Sequence, residues 1–244
     1  MRKIGIIGAM EVEVEQLKAD METGRTLGKA GMLFVEGRLE GMDVVVVRSG
    51  VGKVNAAVCT QILVDEFGVD AVINTGIAGS LDAAIDIGDI VLSTDLVHHD
   101  MDAVGFGYQP GQIPQMDIFS FPADPGLLEK AADVCRKVNP GIGVHTGRIV
   151  SGDQFISDKA VKKRIVETFR ALCTEMEGAA IAQAAYLNGI PFLIIRAISD
   201  KADDSAHMDY PAFERQAVQH SLRLTEGLLA RLQQERLQSD SPMM

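Results

Sequence analysis

The sequence predicts an α/β fold: a single domain built on a central, mixed, largely parallel twisted sheet flanked by helices. Three observations carry that expectation. Apolar runs of strand length recur along the chain, and several are apolar at successive positions, the pattern of strands covered on both faces. Helical spacing fills most of the intervals, so strand and helix alternate. Apolar residues make up 47% of the 244, enough for a sizeable core, with no run long enough to span a bilayer.

The first strand is read in KIGIIGA. Arg2 and Lys3 ahead of its apolar residues resemble the start of a secretory leader, but Glu11, Glu13 and Glu15 follow at once and no small-residue cleavage site does. The segment is therefore expected as a core strand of a cytoplasmic protein. EVEVE alternates like a strand, yet it falls where a helix would open after Gly8 and Ala9, and carboxylates complement a helix dipole there. MDVVVVRSG is the second strand. Residues 53–67 follow with Val54, Ala57, Val58, Ile62 and Leu63 at helical spacing. DAVINTGIAG and GDIVLSTDLV are further strands.

Residues 105–125 then break the alternation and hold Pro110, Pro114, Pro122 and Pro125, half of the chain's eight prolines. A stretch of that length is too long for a plain connection and points to function or an interface. TGRIVSGD and PFLIIRAISD read as strands, and 127–138, 158–169 and 176–187 as helices. A last helix is expected from about Pro211 to Leu237, with the proline at a tolerated first-turn position. Residues 1–237 are expected as one domain and 238–244 as a frayed tail.

The net charge of −11, with no basic tract, argues against nucleic acid or an anionic membrane surface as partner. Three separated cysteines, Cys59, Cys135 and Cys173, form no CxxC pair, which suits a reducing compartment and neither a disulfide framework nor a zinc site.

In open α/β sheets ligands bind beyond the carboxyl ends of the strands. Here those ends read GAMEVEVE, RSGVGKVNAA, NTGIAGS, DLVHHDMD, SGDQF and RAISD. So many polar and glycine-bearing ends suggest one site assembled from several strands. GVGK is no P-loop, because Val47 stands where its first glycine belongs, and no GxGxxG, because Asn55 takes the third glycine's place. The glycines of NTGIAGS serve either a turn or the close approach of a flat ligand. Adjacent His98 and His99 would point to opposite faces of a strand, so a hydrogen-bonded loop with Asp100 and Asp102 is favoured over a metal site. CTEMEGAAIAQAA places Glu175 and Glu177 at the start of an alanine-rich helix, where tight packing would desolvate a carboxylate. Arg196, set in an apolar strand, needs a carboxylate partner. If its strand persists to the end, alternation puts Arg196, Ile198 and Asp200 on one face.

KIGIIGAMEVEVE, SGVGKVNAA, NTGIAGS, GFGY, VSGDQFI, EMEGAAIA and RAISDKAD resemble, in order and spacing, the methylthioadenosine/S-adenosylhomocysteine nucleosidases of the nucleoside phosphorylase superfamily. The match runs from Lys3 to about Phe213. EMEGAA with RAISD some twenty residues later is its specific part.

The resemblance implies a nucleoside phosphorylase-like fold and hydrolysis of the bond between adenine and a 5′-thio-substituted ribose, in a homodimer with neither cofactor nor metal. It implies that Asp200, with Ser199 beside it, is the general acid at adenine N7, and that Glu13 activates the attacking water. Glu177 would bind the ribose hydroxyls, with Met176 against the sugar and Arg196 holding that glutamate. Phe155 and Ile156 would frame the adenine. Ala78, Gly79, Glu175 and Tyr210 complete the implied substrate contacts. Phe106, Tyr108 and Pro114 would reach into the partner subunit and cover the 5′ substituent, which gives residues 105–125 a purpose.

The chain departs from the family's pattern at two positions. Ile77 stands where a serine is common, and Arg48 precedes SGVGK, where it is a candidate phosphate ligand of the kind the phosphorylase branch uses. Arg48 makes a phosphorylase one alternative activity; an aminodeoxyfutalosine nucleosidase is the other, because the implied 5′ pocket is built from flexible aromatic loops.

Overall fold

A computed structural model describes the backbone of residues 1–203 and 206–240, and the side chains of all of these but 207–212 and 240. Ten strands form one sheet. In chain order these are β1 (Lys3–Gly8), β2 (Glu22–Lys29), β3 (Met32–Leu39), β4 (Met42–Arg48), β5 (Ala71–Ser80), β6 (Ile90–His98), β7 (Phe121–Pro122), β8 (Val144–Ser151), β9 (Cys173–Glu175) and β10 (Phe192–Asp200). Helices α1 (Glu15–Asp20), α2 (Lys53–Phe67), α3 (Pro125–Val138), α4 (Lys159–Phe169), α5 (Gly178–Leu187) and α6 (Ala206–Asp240) lie between and after them. EVE itself forms a short 3-10 turn, Glu11–Glu13, ahead of α1.

Local chemistry sets these boundaries. Gly68, in the left-handed conformation at φ 58°, stops α2. Asp124 caps α3 by accepting from the Leu127 N–H at 2.8 Å, with Pro125 in the first turn. Asp158 caps α4 through the N–H groups of Ala160 and Val161. Every residue of β5 and of β10 is buried, the polar Asn74, Thr75, Arg196 and Asp200 included, as in strands covered on both faces.

The sheet is mixed: among the described residues five of its ten pairings are parallel and five antiparallel. Much of the antiparallel share comes from β2, β3 and β9, which the sequence did not announce. β2 is exposed on nearly every residue and shows no apolar face. It joins β3 through Ala30 and Gly31, and β3 joins β4 through Glu40 and Gly41. Both pairs have positive φ at each position, the geometry of a type I′ hairpin, but in residues that signal it more weakly than Asn-Gly does.

Five strands close on themselves. β5 pairs with β10, β10 with β6, β6 with β8, β8 with β9, and β9 again with β5. Of the remaining strands, β1, β4, β3 and β2 extend from β5 in that order as an open arm, and the short β7 pairs with β6.

Three helices differ from expectation. α3 begins at Pro125, two residues early, because Asp124 caps it and the proline fits its first turn. α5 begins at Gly178, two residues late, because Cys173–Glu175 pairs as a strand and Glu177 occupies the cap position. α6 starts at Ala206, whose N–H donates to the Asp203 carbonyl, and runs to Asp240. Pro211 therefore lies in its second turn, where the missing N–H removes one ladder bond. Residues 238–240, expected to fray, belong to this helix, and 241–244 lie outside the described residues. All three cysteines are buried free thiols. Among the described residues no helix is long and apolar enough to cross a membrane.

Candidate active site

A cavity of about 360 Å³ opens at or just beyond the carboxyl ends of six strands: β1, β4, β5, β8, β9 and β10. The sequence-predicted Glu13, Ala78, Gly79, Phe155, Ile156, Glu175, Met176, Glu177, Ser199 and Asp200 all line it. Arg196 does not reach the cavity and is buried beneath it. The side chain of Tyr210 lies outside the described residues. Phe106, Tyr108 and Pro114 are not part of the lining of this chain's own cavity, and Phe106 is 87% exposed.

The 3-10 turn after β1 folds Glu13 back over the strand end. Its Oε2 accepts from the N–H groups of Ala9 at 2.7 Å and Met10 at 2.9 Å, and its Oε1 from that of Ile77 at 3.2 Å. Burial pushes this carboxyl above its ordinary range, more than the Met10 N–H and the Arg196 charge pull it down. Gly76 makes room for the arrangement: a Cβ there would lie 2.7 Å from Glu13 Oε1 and 3.2 Å from Arg196 Nη1. Gly79 does the same for Asp200, with its missing Cβ 2.7 Å from Oδ1. The glycines of NTGIAGS thus clear space for two carboxyl groups. Ile77 joins the lining, and its backbone N–H is the donor to Glu13.

Arg196 holds Glu175 rather than Glu177. One terminal nitrogen, Nη2, donates both to Glu175 Oε2 and to Asn74 Oδ1, while Nη1 donates to the Ile195 carbonyl at 3.0 Å. Asn74 is itself anchored to the Ile7 carbonyl on β1 at 2.8 Å. Glu175 also accepts from Ser151 Oγ and from the N–H groups of Glu177 (3.1 Å) and Gly178 (2.7 Å), donors at the start of α5 that have no partner within the helix. Burial would raise the Glu175 carboxyl, but the Arg196 charge and these donors outweigh it and hold it low. Glu175 earns the guanidinium because it ends β9 inside the closed ring, whereas Glu177 stands two residues on, at the cavity mouth of α5.

Glu177 is left with one backbone donor, the Gly52 N–H at 2.8 Å from Oε1. Burial, and then the neighbouring Glu175 charge, push it up to about 8.

β10 persists to Asp200, but Ser199 is an extra residue: Ile198 faces Ala78 and Asp200 faces Gly79. This bulge breaks the two-residue period, so Ser199 and Asp200 both reach the cavity, and the single face expected for Arg196, Ile198 and Asp200 holds only as far as Ile198. Asp200 Oδ1 accepts from the Ala202 N–H at 2.7 Å and Oδ2 from Ser199 Oγ–H at 2.9 Å. Ser199 also reaches the Ala78 carbonyl at 3.4 Å.

The lining residues that sequence reasoning missed are Ala9, Met10, Val51, Gln154 and Thr174. Each sits within or beside a motif at a strand end, and that position is their only signal. Thr174 is the notable one, since its buried Oγ1 has no hydrogen-bond partner among the described residues. His98 and His99 diverge as expected: His98 Nε2 meets Gln183 Oε1 at 3.0 Å, and the His99 ring packs over Gly152. Arg48, the candidate phosphate ligand, stays outside the cavity, and its half-exposed side chain faces Glu11 at 3.7 Å.

The family model of the phosphorylase superfamily matches residues 3–230. The chain is 45% identical over 236 residues to the 5′-methylthioadenosine/S-adenosylhomocysteine nucleosidase of Chromohalobacter salexigens, covering 95% of this chain and 98% of that one. It is 41% identical to that of Staphylococcus aureus, covering 94% and 100%. Among solved structures it is similar to the nucleosidase of Neisseria meningitidis in complex with methylthio-immucillin-A, at a TM-score of 0.91 and 39% identity over 95% of this chain and 100% of that one. It is also similar to futalosine hydrolase of Helicobacter pylori, at a TM-score of 0.89 and 32% identity over 94% and 98%.

Proposed function

Because this chain belongs to the phosphorylase superfamily, we infer that it is a 5′-methylthioadenosine/S-adenosylhomocysteine nucleosidase, hydrolysing the N-glycosidic bond to release adenine and the 5′-thioribose. The observation that carries the chemistry is the placement of two carboxyl groups in one cavity on strands flanking β5: Glu13 after β1 and Asp200 at the end of β10.

Adenine leaves as a neutral base only if a proton arrives as the C1′–N9 bond breaks, and the sugar then passes through an oxocarbenium-like state. We assign the proton to Asp200, delivered to adenine N7. Ser199 has two acceptors within reach, Asp200 Oδ2 and the Ala78 carbonyl, so its hydroxyl can follow the proton state of the carboxyl. Glu13 takes a proton from water, whose oxygen attacks C1′. Its raised affinity for a proton suits it to that task near neutral pH. Glu177 accepts from the ribose hydroxyls, Met176 lies against the sugar, and Phe155 and Ile156 frame the base. Arg196 acts on this set from below, by keeping Glu175 ionised and in place.

The position of Arg48 favours water over phosphate as the nucleophile. The expected result is equal adenine release from methylthioadenosine with and without phosphate in the buffer. A strict requirement for phosphate would make the chain a phosphorylase. Running adenosylhomocysteine and aminodeoxyfutalosine beside methylthioadenosine ranks the 5′ substituents, and a preference for the last-named would favour the hydrolase seen in the Helicobacter pylori relative.

We also propose that two copies pair, with Phe106, Tyr108 and Pro114 of each reaching the other's cavity. Support comes from large apolar side chains left exposed: Phe106, Val104, and on α2 Val54, which is 74% exposed. Sedimentation should give twice the 26.2 kDa of one chain. A fully active species of single mass would remove this part of the reading.

A further inference from the structure

Lys53 of GVGK, Asp100 of HHDMD and Asp153 of SGDQF have no part in the chemistry above, yet the fold joins them in a closed cycle. The Lys53 N–H donates to Asp153 Oδ1 at 2.8 Å. The Asp153 N–H donates to Asp100 Oδ2 at 2.9 Å. Lys53 Nζ closes the cycle on Asp100 Oδ1 at 2.6 Å. The loops after β4, β6 and β8 are thereby tied together. The Lys53 and Asp100 side chains are only 20% and 17% exposed, so this pair is better protected from solvent than an ordinary surface pair.

The cycle stands one residue from the site on two sides. Asp153 precedes Gln154, Phe155 and Ile156 of the cavity wall. Gly52, next to Lys53, is the residue whose N–H meets Glu177. Gly52 adopts φ 100° and ψ 160°, a conformation open in practice to glycine alone, so the chain is intrinsically loose there and must be held by its neighbours. The Gly52 carbonyl is fixed by the Ala56 N–H at 3.1 Å, and the other side of the same peptide is fixed by Asp153. With the Gly52–Lys53 peptide pinned at both polar atoms, only the two torsions of Gly52 separate it from the N–H that reaches Glu177. Gly52 has no side chain to cap α2, and Asp153 supplies that carboxylate from another loop.

We propose that Asp153 is a positioning residue for Glu177: through the Lys53 N–H it holds Gly52 where its amide meets the sugar-binding carboxylate. The inference rests on the nucleosidase reading of Glu177. The test is a double-mutant cycle with methylthioadenosine as substrate, using Asp153→Ala, Glu177→Gln and the pair, with kcat and KM separated. Asp153→Ala should lower kcat/KM about 100-fold, mainly through KM. In the Glu177→Gln background the same change should cost less than about threefold, because the group it positions is already gone. Should Asp153→Ala fail to fold, Asp153→Asn keeps an acceptor for Lys53 and carries the same cycle, with about a tenfold loss alone and none beside Glu177→Gln. Equal losses in both backgrounds would overturn the proposal and leave the nucleosidase standing. A wild-type protein that released no adenine would overturn both.

Discussion

Replacing Asp200 by asparagine lowers kcat for adenine release by about a thousandfold or more, the upper part of the range for losing a positioned acid. The geometry explains why so small a change should be so costly and so local. Asparagine keeps an oxygen to accept from the Ala202 N–H, and its amide can donate toward Ser199 Oγ, so the rim around Gly79 has no reason to shift. What disappears is the proton for N7. Without it the base must leave as an anion, and the oxocarbenium-like state is reached only at a much higher barrier. Thermal unfolding should be nearly unchanged. Turnover within tenfold of wild type would remove Asp200 from its role as the acid.

The second large effect is at the other end of the reaction. Glu13→Gln should bind an unreactive substrate analogue with near wild-type affinity while adenine release falls by about a thousandfold. Gln has one acceptor oxygen where Glu has two. If that oxygen keeps the Ala9 and Met10 N–H groups, the new amide faces the Ile77 N–H, donor against donor, and Arg196 loses a nearby negative charge. Some stability should be lost, about 1–3 kcal/mol for the mispaired buried N–H. Turnover should collapse because water is no longer deprotonated. Paired measurements of analogue binding and single-turnover release decide the matter: weak binding with normal release of what is bound would make Glu13 a binding group and move the base elsewhere.

Much of this site is legible in the sequence because its chemistry is carried by residues that look out of place. Asp200 at the end of an apolar strand, Arg196 within it, and two glutamates before an alanine-rich helix invite explanation on composition alone. The partner of Arg196 is the instructive failure. Glu175 and Glu177 stand two residues apart ahead of the same helix, and only the short strand β9, too brief to show any period, decides which is drawn under the floor. The Ser199 bulge is equally silent, because one extra residue in a strand leaves no mark on its apolarity. The hairpins of β2 and β3 were hidden by an exposed strand and by turns built on Ala-Gly and Glu-Gly. Helix ends were easier at Asp158 and Gly68, where a dedicated residue enforces them.

The closed ring of β5, β10, β6, β8 and β9 bears on how ligands come and go. Glu175 and Arg196 sit on ring strands, and a ring offers no free edge along which one strand could peel away or slip by a residue. Separating them would mean breaking strand pairs on both sides at once. The freedom that substrate entry needs therefore falls to the segments beyond the strand ends, around Gly52, Phe106 and Phe155. Traffic through the mouth should respond to mild warming or denaturant well before the spacing of the groups on the floor does.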